Sequence, residues 1–368
     1  NKVQNMKIGI LTRRYGYNFG SALQGFAIMQ LVKNQGHDVE VIKYDETSNH
    51  WLWKIRPFVE FIQYKVGLSF SKRKKKYLEQ RFKQECLFKQ FENKYFNLTE
   101  RCFRNSGSLR KQSNKYDKIV IGSDQIWNPY FFDPCYLGSF IPVNERDKIV
   151  PYAPSFGTSN LDLISSKQIE LIKSLKHLSC REEEGSNILK KFTGKDIPVV
   201  LDPTLMISEE IWNDIADKYV MSVLPEKYLL TYFLGSNIPQ DEIDRLKNKY
   251  GLPVVNISIF NRINDVDCDL EVSDVGPGEF LYLIKNADHV VTDSFHGTIF
   301  SHVFKRKYTV VERFNENDLR NENSRIYTLL KIFGEQDRLY NKHFEKTDNC
   351  LQNKRQFSLE YLKNAINS

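Results

Sequence analysis

Short apolar runs alternate with stretches whose apolar residues recur every three or four positions, and the alternation extends over most of the chain. Residues 7–11 form an apolar run of strand length. Ala22, Leu23, Phe26, Ala27, Met29, Leu31 and Val32 then repeat at helical spacing, and residues 38–42 return to a strand pattern. The turn between them, Asn18-Phe19-Gly20-Ser21, offers glycine for close backbone approach and Ser21 as N-cap, and Gly36 closes the helix. Further strands are predicted at 118–121, 149–152, 177–180, 199–201, 228–233, 254–257, 289–292 and 307–311. Helices are predicted at 165–176, 183–192, 240–250 and 279–286. Strands separated by helices form parallel sheets covered by helices, so the class is α/β. The rhythm restarts after Leu201-Asp202-Pro203-Thr204, which places a domain break within 208–225. Residues 6–207 are expected to form one Rossmann-like domain with an insert near 51–95. Residues 208–368 form a second that ends in a short amphipathic helix at 359–366, with a cleft between the two.

Composition narrows the class. A chain of 368 residues is long enough for two cores, and 41% hydrophobic with 27% charged residues is a soluble globular profile. No segment approaches the roughly 20 apolar residues of a membrane span, and residues 1–5 read as a leftover before a natural start at Met6 with no signal peptide. Six cysteines without a CxxC pair argue against a zinc site and against a disulfide scaffold, so a reduced, cytoplasmic protein is expected. The first strand-to-helix turn lacks GxGxxG, so no dinucleotide fingerprint is present. Much of the formal net charge of +7 comes from Lys72 to Lys76, which follow a run containing Trp51, Trp53, Phe58, Phe61, Tyr64 and Phe70. Two readings of residues 51–76 stand: a peripheral contact with anionic lipid, or an inserted helical hairpin with its apolar face in the core and its lysines in solvent. No nucleic-acid-binding motif accompanies the basic run, and no nucleic acid is expected as partner.

Ligands of open α/β sheets bind at the carboxyl ends of the strands, and polar clusters collect there. Asp293-Ser294-Phe295-His296-Gly297 follows the strand at 289–292 and opens a helix, so the imidazole lies beside helix amides that favour an anion. His296 could equally cap the helix and pack against its neighbours. Gly122-Ser123-Asp124-Gln125-Ile126-Trp127-Asn128, the run from Tyr152, Cys180-Arg181-Glu182, and Asn323-Ser324-Arg325 occupy corresponding places. Each alone could be a cap or a turn, but their stacking along one edge of successive strands points to a ligand site.

Taken in order, Asn18-Phe19-Gly20-Ser21-Ala22-Leu23-Gln24, Gly122 to Pro129, Cys180-Arg181-Glu182, Leu201-Asp202-Pro203-Thr204, Asp293 to Gly297 and Ser324-Arg325-Ile326 resemble the polysaccharide pyruvyl transferase family over nearly the whole chain. The resemblance implies a two-domain fold like that of GT-B glycosyltransferases, with phosphoenolpyruvate as donor and no further cofactor or metal. It implies a sugar hydroxyl pair as acceptor and a pyruvate ketal on a cell-surface glycan as product. Arg181 and His296 match the family's donor-site arginine and histidine. Where other branches have Arg-Leu-His, Ser294 takes the arginine's place; Arg325 is the candidate replacement, with Arg313 and Lys305 also near in sequence. The donor set is then Arg181, Arg325, Ser294, His296 and Gly297, with His296 as proton donor to the enol ether. The acceptor set is Asn18, Gly20, Ser123, Asp124, Gln125, Trp127, Asn128 and Tyr152, with Asp124 at the acceptor hydroxyls. A lipid-linked acceptor at the inner membrane face would use residues 51–76. A nucleotide-sugar-dependent glycosyltransferase and a non-catalytic glycan-binding protein are the alternatives, because fold does not fix function.

Overall fold

The computed structural model describes residues 5–14, 18–46, 72–258, 266–315, 318 and 322–368. The aromatic run at 51–71 lies outside the described residues, as do the side chains of 72–78. In chain order the strands are β1 (Lys7–Leu11), β2 (Asp38–Val41), β3 (Lys118–Ile121), β4 (Ile149–Pro151), β5 (Leu229–Tyr232), β6 (Val254–Ile257), β7 (Leu270–Val272), β8 (His289–Thr292) and β9 (Lys307–Val310). The helices begin with α1 (Phe19–Lys33), α2 (Lys72–Tyr95), α3 (Ser106–Ser113), α4 (Ser166–Lys173), α5 (Glu183–Thr193) and α6 (Glu209–Ala216). They continue with α7 (Gln240–Tyr250), α8 (Pro277–Asn286), α9 (Phe295–Val303), α10 (Ser324–Phe333) and α11 (Leu351–Asn367).

The chain forms two compact units. In the first, four parallel strands run in the order β2-β1-β3-β4, and Ile8, Ile10, Ile119, Val120 and Val150 are fully buried, as strands covered on both faces require. Below the sheet lies a core of Trp127, Tyr136, Phe156, Ile172 and Leu189 among others. The second unit has five parallel strands ordered β7-β6-β5-β8-β9, with β5, β6 and β8 buried along their whole length. In each sheet the order reverses beside its first strand, between β1 and β3 and between β5 and β8. These reversals are the switch points at which a crevice opens.

Two segments belong to the unit opposite to the one the sequence suggests. Helix α11 is grouped with the first unit. There the Leu201 amide donates to Ser358 Oγ at 3.0 Å, Arg355 Nε donates to the Leu205 carbonyl at 2.7 Å, and Leu362 and Ile366 are fully buried. The helix carries an apolar stripe and takes the core that completes it, whatever its place in the chain. Residues 72–92 of α2, expected as part of an N-terminal insert, are grouped with the second unit. Gln84 Nε2 donates to the Val275 carbonyl and Lys83 pairs with Asp274 at 3.0 Å. The strands expected at 177–180 and 199–201 reduce to one parallel bridge, Cys180 to Val199. Pro198 has no N–H with which to extend that ladder.

Candidate active site

At the switch point of the first unit, β3 leads into Gly122-Ser123-Asp124. Gly122 has φ +135°, and a Cβ there would lie 2.0 Å from the Tyr152 carbonyl oxygen, so only glycine permits this passage. Asp124 follows at φ +74°, a region that aspartate tolerates better than most residues. The turn is fastened from several sides. Gln24 Oε1 accepts from the Ser123 amide at 2.9 Å, the Asp124 carbonyl accepts from the Ser155 amide at 2.8 Å, and Ser21 Oγ donates to Asp124 Oδ2 at 2.5 Å. Arg181, only 4% exposed, donates to Asp202 Oδ2 at 2.8 Å and stands 3.7 Å from Asp124 and 3.8 Å from Glu182. Burial opposes its charge, but Asp202, Asp124 and Glu182 outweigh that effect and raise its pKa. Thr204 holds the other oxygen of Asp202 through its amide at 3.0 Å and its hydroxyl at 2.6 Å. Arg13, two residues beyond β1, pairs with Glu46 at 2.8 Å. Its charge is opposed by burial and favoured by Glu46, Tyr136 and Asp124, with a net upward shift.

In the second unit, Asp293 bridges the two strands that flank the switch point. Its carboxylate follows β8 and accepts from the amides of Leu234 and Gly235, just past β5, at 2.7 and 2.6 Å. Ser294 is the N-cap of α9, accepting from the Gly297 amide at 3.2 Å, while its own amide donates to Thr292 Oγ1 at 3.0 Å. A Cβ on Gly297 would come within 2.7 Å of that same Thr292 oxygen, which explains the glycine. His296 is therefore in the first turn of α9, 7% exposed, edge-on to Phe295 at 5.3 Å. Arg313 donates through Nη2 to the Asp293 carbonyl at 3.1 Å and lies 3.5 Å from its carboxylate. Arg325 lies 5.9 Å from the Phe295 ring centre and pairs with Glu322. Asn323 ties the two arginine-bearing segments by accepting from the Phe314 amide at 3.3 Å and donating to its carbonyl at 2.7 Å. Two guanidinium groups thus flank a helix N-terminus that carries an imidazole, a set of groups suited to a small polyanion. Among the described residues no cluster of three His, Cys, Asp or Glu is placed to hold a metal ion.

A sequence profile of the family described as polysaccharide pyruvyl transferase matches residues 18–312, which include Ser21, Asp124, Arg181 and Asp202 of the first set and Asp293 to Gly297 of the second. The chain belongs to the polysaccharide pyruvyl transferase family. Among solved structures, it is similar to UDP-GlcNAc 2-epimerase from Neisseria meningitidis bound to UDP-GlcNAc. The identity is 12%, with 97% of this chain and 99% of that one covered at a TM-score of 0.50. The UDP-GlcNAc 2-epimerase of Methanocaldococcus jannaschii is similar at 13% identity, covering 97% and 100% of the two chains with a TM-score of 0.47. At such identities the likeness is one of fold alone, the GT-B-like pair of parallel α/β sheets. No curated protein matches the chain in sequence.

Within this member of the family the residues expected from sequence divide sharply. Asp124, Ser123 and Gln125 gather around the first switch point, and Ser294, His296, Gly297 and Arg325 around the second. Arg181, assigned to the donor on sequence, is buried in the first unit, with Asp202, Asp124 and Glu182 around it. Trp127 and Tyr152 are fully buried; the indole donates to the Tyr136 carbonyl at 3.1 Å and Tyr152 packs against Tyr361. Both belong to the core rather than to an acceptor surface. Asn128 is buried and caps the short helical turn at Pro129–Phe131, and Gly20 is buried in α1. Asn18, not Ser21, is the N-cap of α1, which leaves the Ser21 hydroxyl to Asp124. Lys305 pairs with Glu209 beyond the far end of α9 and is no replacement for the missing arginine. Arg13, Ser21, Gln24, Asp202 and Asp293 were not singled out as site residues from sequence. Their signal is position, since all but Ser21 and Gln24 stand within two residues of an apolar run.

Proposed function

We propose that this enzyme transfers the pyruvyl group of phosphoenolpyruvate to two hydroxyls of a glycan sugar, releasing phosphate and forming a cyclic ketal. The product would belong to a capsular, exopolysaccharide or cell-wall polysaccharide. The observation that carries the reading is the α9 N-terminus at the β5/β8 switch point, where His296 follows Asp293, which Arg313 holds, and Phe295, whose ring Arg325 approaches. Phosphoenolpyruvate presents a carboxylate and a phosphate close together, and guanidinium forks bind such a pair better than a point charge does. Arg313, which reaches the Asp293 turn directly, takes the role left open by Ser294.

Proton delivery from His296 to the methylene carbon generates an oxocarbenium-like centre at the substituted carbon. One sugar hydroxyl adds to that centre, phosphate departs, and the second hydroxyl closes the ring. Of the two hydroxyl protons, one balances the new methyl group and the other leaves with phosphate. Asp124, held by Ser21 and Arg181, accepts hydrogen bonds from the sugar hydroxyls. A lipid-linked acceptor at the cytoplasmic membrane face fits the aromatic and basic run at 51–76. Incubation with phosphoenolpyruvate and a panel of hexosides tests the proposal: stoichiometric phosphate release and a new ketal methyl resonance are expected. Turnover of a nucleotide sugar with no use of phosphoenolpyruvate would overturn it.

A further inference from the structure

The loop that leaves the Asp124 turn carries two aromatic rings into solvent, Tyr130 at 37% and Phe131 at 55% exposure. Exposure of such rings is unfavourable in itself, yet the loop that presents them is rigidly built. On one side Trp127 is anchored in the core through Tyr136, and Asn128 Oδ1 accepts from the Tyr130 amide at 3.0 Å. On the other side Asp133 accepts from the Cys135 amide at 2.9 Å and from the Tyr44 hydroxyl at 2.7 Å. Pro129 fixes the first residue of the intervening turn. The Arg13 guanidinium lies 5.0 Å from the Phe131 ring centre and is within electrostatic reach of Asp124. Ring, cation and carboxylate therefore belong to one edge of one sheet.

We propose that Phe131, with Tyr130 beside it and Arg13 lying over one face of the ring, offers its other face as a stacking platform for the acceptor sugar. The ligand class is a pyranose that offers an apolar C–H face to the ring and hydroxyls to Asp124. The π-face of an aromatic ring is electronegative and attracts the slightly positive C–H hydrogens of a sugar. A platform held in advance spends little conformational entropy on binding. The inference takes its acceptor from the pyruvyl-transfer reading, but stacking itself is measurable without any turnover.

The test uses the full chain with methyl β-glucopyranoside, methyl β-galactopyranoside, methyl α-mannopyranoside and their N-acetylated counterparts as probes, followed by saturation-transfer NMR without donor. At least one probe is expected to receive magnetisation at its ring C–H protons, and Phe131→Ala should abolish the transfer while Phe131→Trp restores it. In turnover, Phe131→Ala should raise the acceptor KM about three- to tenfold and leave the phosphoenolpyruvate KM unchanged. No transfer to any probe, or transfer and acceptor KM unaltered in Phe131→Ala, overturns the platform. Transfer that depends on Phe131 in a protein that never releases phosphate from phosphoenolpyruvate keeps the platform and removes the pyruvyl reading.

Discussion

Single residues separate chemistry from scaffolding here. If His296 donates the proton, His296→Asn lowers kcat by roughly 10²–10⁴-fold with little change in donor KM, because the arginines and helix amides supply most of the anion binding. Normal turnover by the variant at saturating donor would reduce His296 to a packing residue. The arginines should divide in the opposite sense to the one the sequence suggests. Arg313→Ala is expected to cost about 1.5–3 kcal/mol of donor binding, on the order of ten- to a hundredfold in KM, with a smaller loss of stability than in Arg181→Ala because two backbone amides still hold the Asp293 carboxylate. Arg181→Ala leaves Asp202, Asp124 and Glu182 without their cation in a buried site, and about 3–5 kcal/mol of stability should be lost. Calorimetric melting of both variants beside donor titrations distinguishes the two roles.

At the scale of elements, β8 carries the site at one end and a pH liability at the other. His289 opens the strand, is buried, and shares a 2.9 Å hydrogen bond with Thr309. Burial, then the charge of Arg338, lowers its pKa to about 4 despite the pull of Glu242. The unfolded chain takes up this proton near pH 6.5 and the folded one only near 4. Stability from His289 is therefore complete above pH 6.5 and declines as pH falls toward 4, by an amount on the order of 3 kcal/mol. Urea unfolding of the parent and of His289→Asn should differ in slope within that window and run parallel above it; parallel curves throughout would remove His289 as the cause.

The same strand shows what sequence can and cannot convey. Residues 229–232, 254–257 and 289–292 are short, mainly apolar segments buried along their whole length because both faces of their sheet are covered, and the strand positions follow directly. β7 has a half-exposed Leu-Glu-Val pattern at the sheet edge and resembles a loop in sequence. Polar clusters at strand ends were legible for the same geometric reason that creates the crevice. Which way a side chain turns was not. Trp127 and Tyr152 have both apolar bodies and polar tips, and only the packing around them decides. Arg181 finds Asp202 and Asp124 at distances of 21 and 57 residues along the chain, a neutralisation that no local pattern records.

At the scale of the whole molecule, the last helix is a structural part of the first unit. Leu362→Ala removes a fully buried side chain and is expected to cost about 2–5 kcal/mol. Hydrogen exchange should locate the loss in β4 and in residues 199–205, leaving β5 to β9 protected. Faster exchange in the second unit alone would contradict the grouping of α11.

The crossed ownership of α2 and α11 also governs how this protein can be recombined. A single cut after Ile207 would leave one fragment without the helix that closes its core and the other without the segment that packs at Val275. Exchange of acceptor preference between relatives therefore calls for a chimera in which residues 72–92 travel with 208–350 while 351–368 stay behind. A library built on the midpoint junction alone would yield insoluble products whatever the compatibility of the two chemistries.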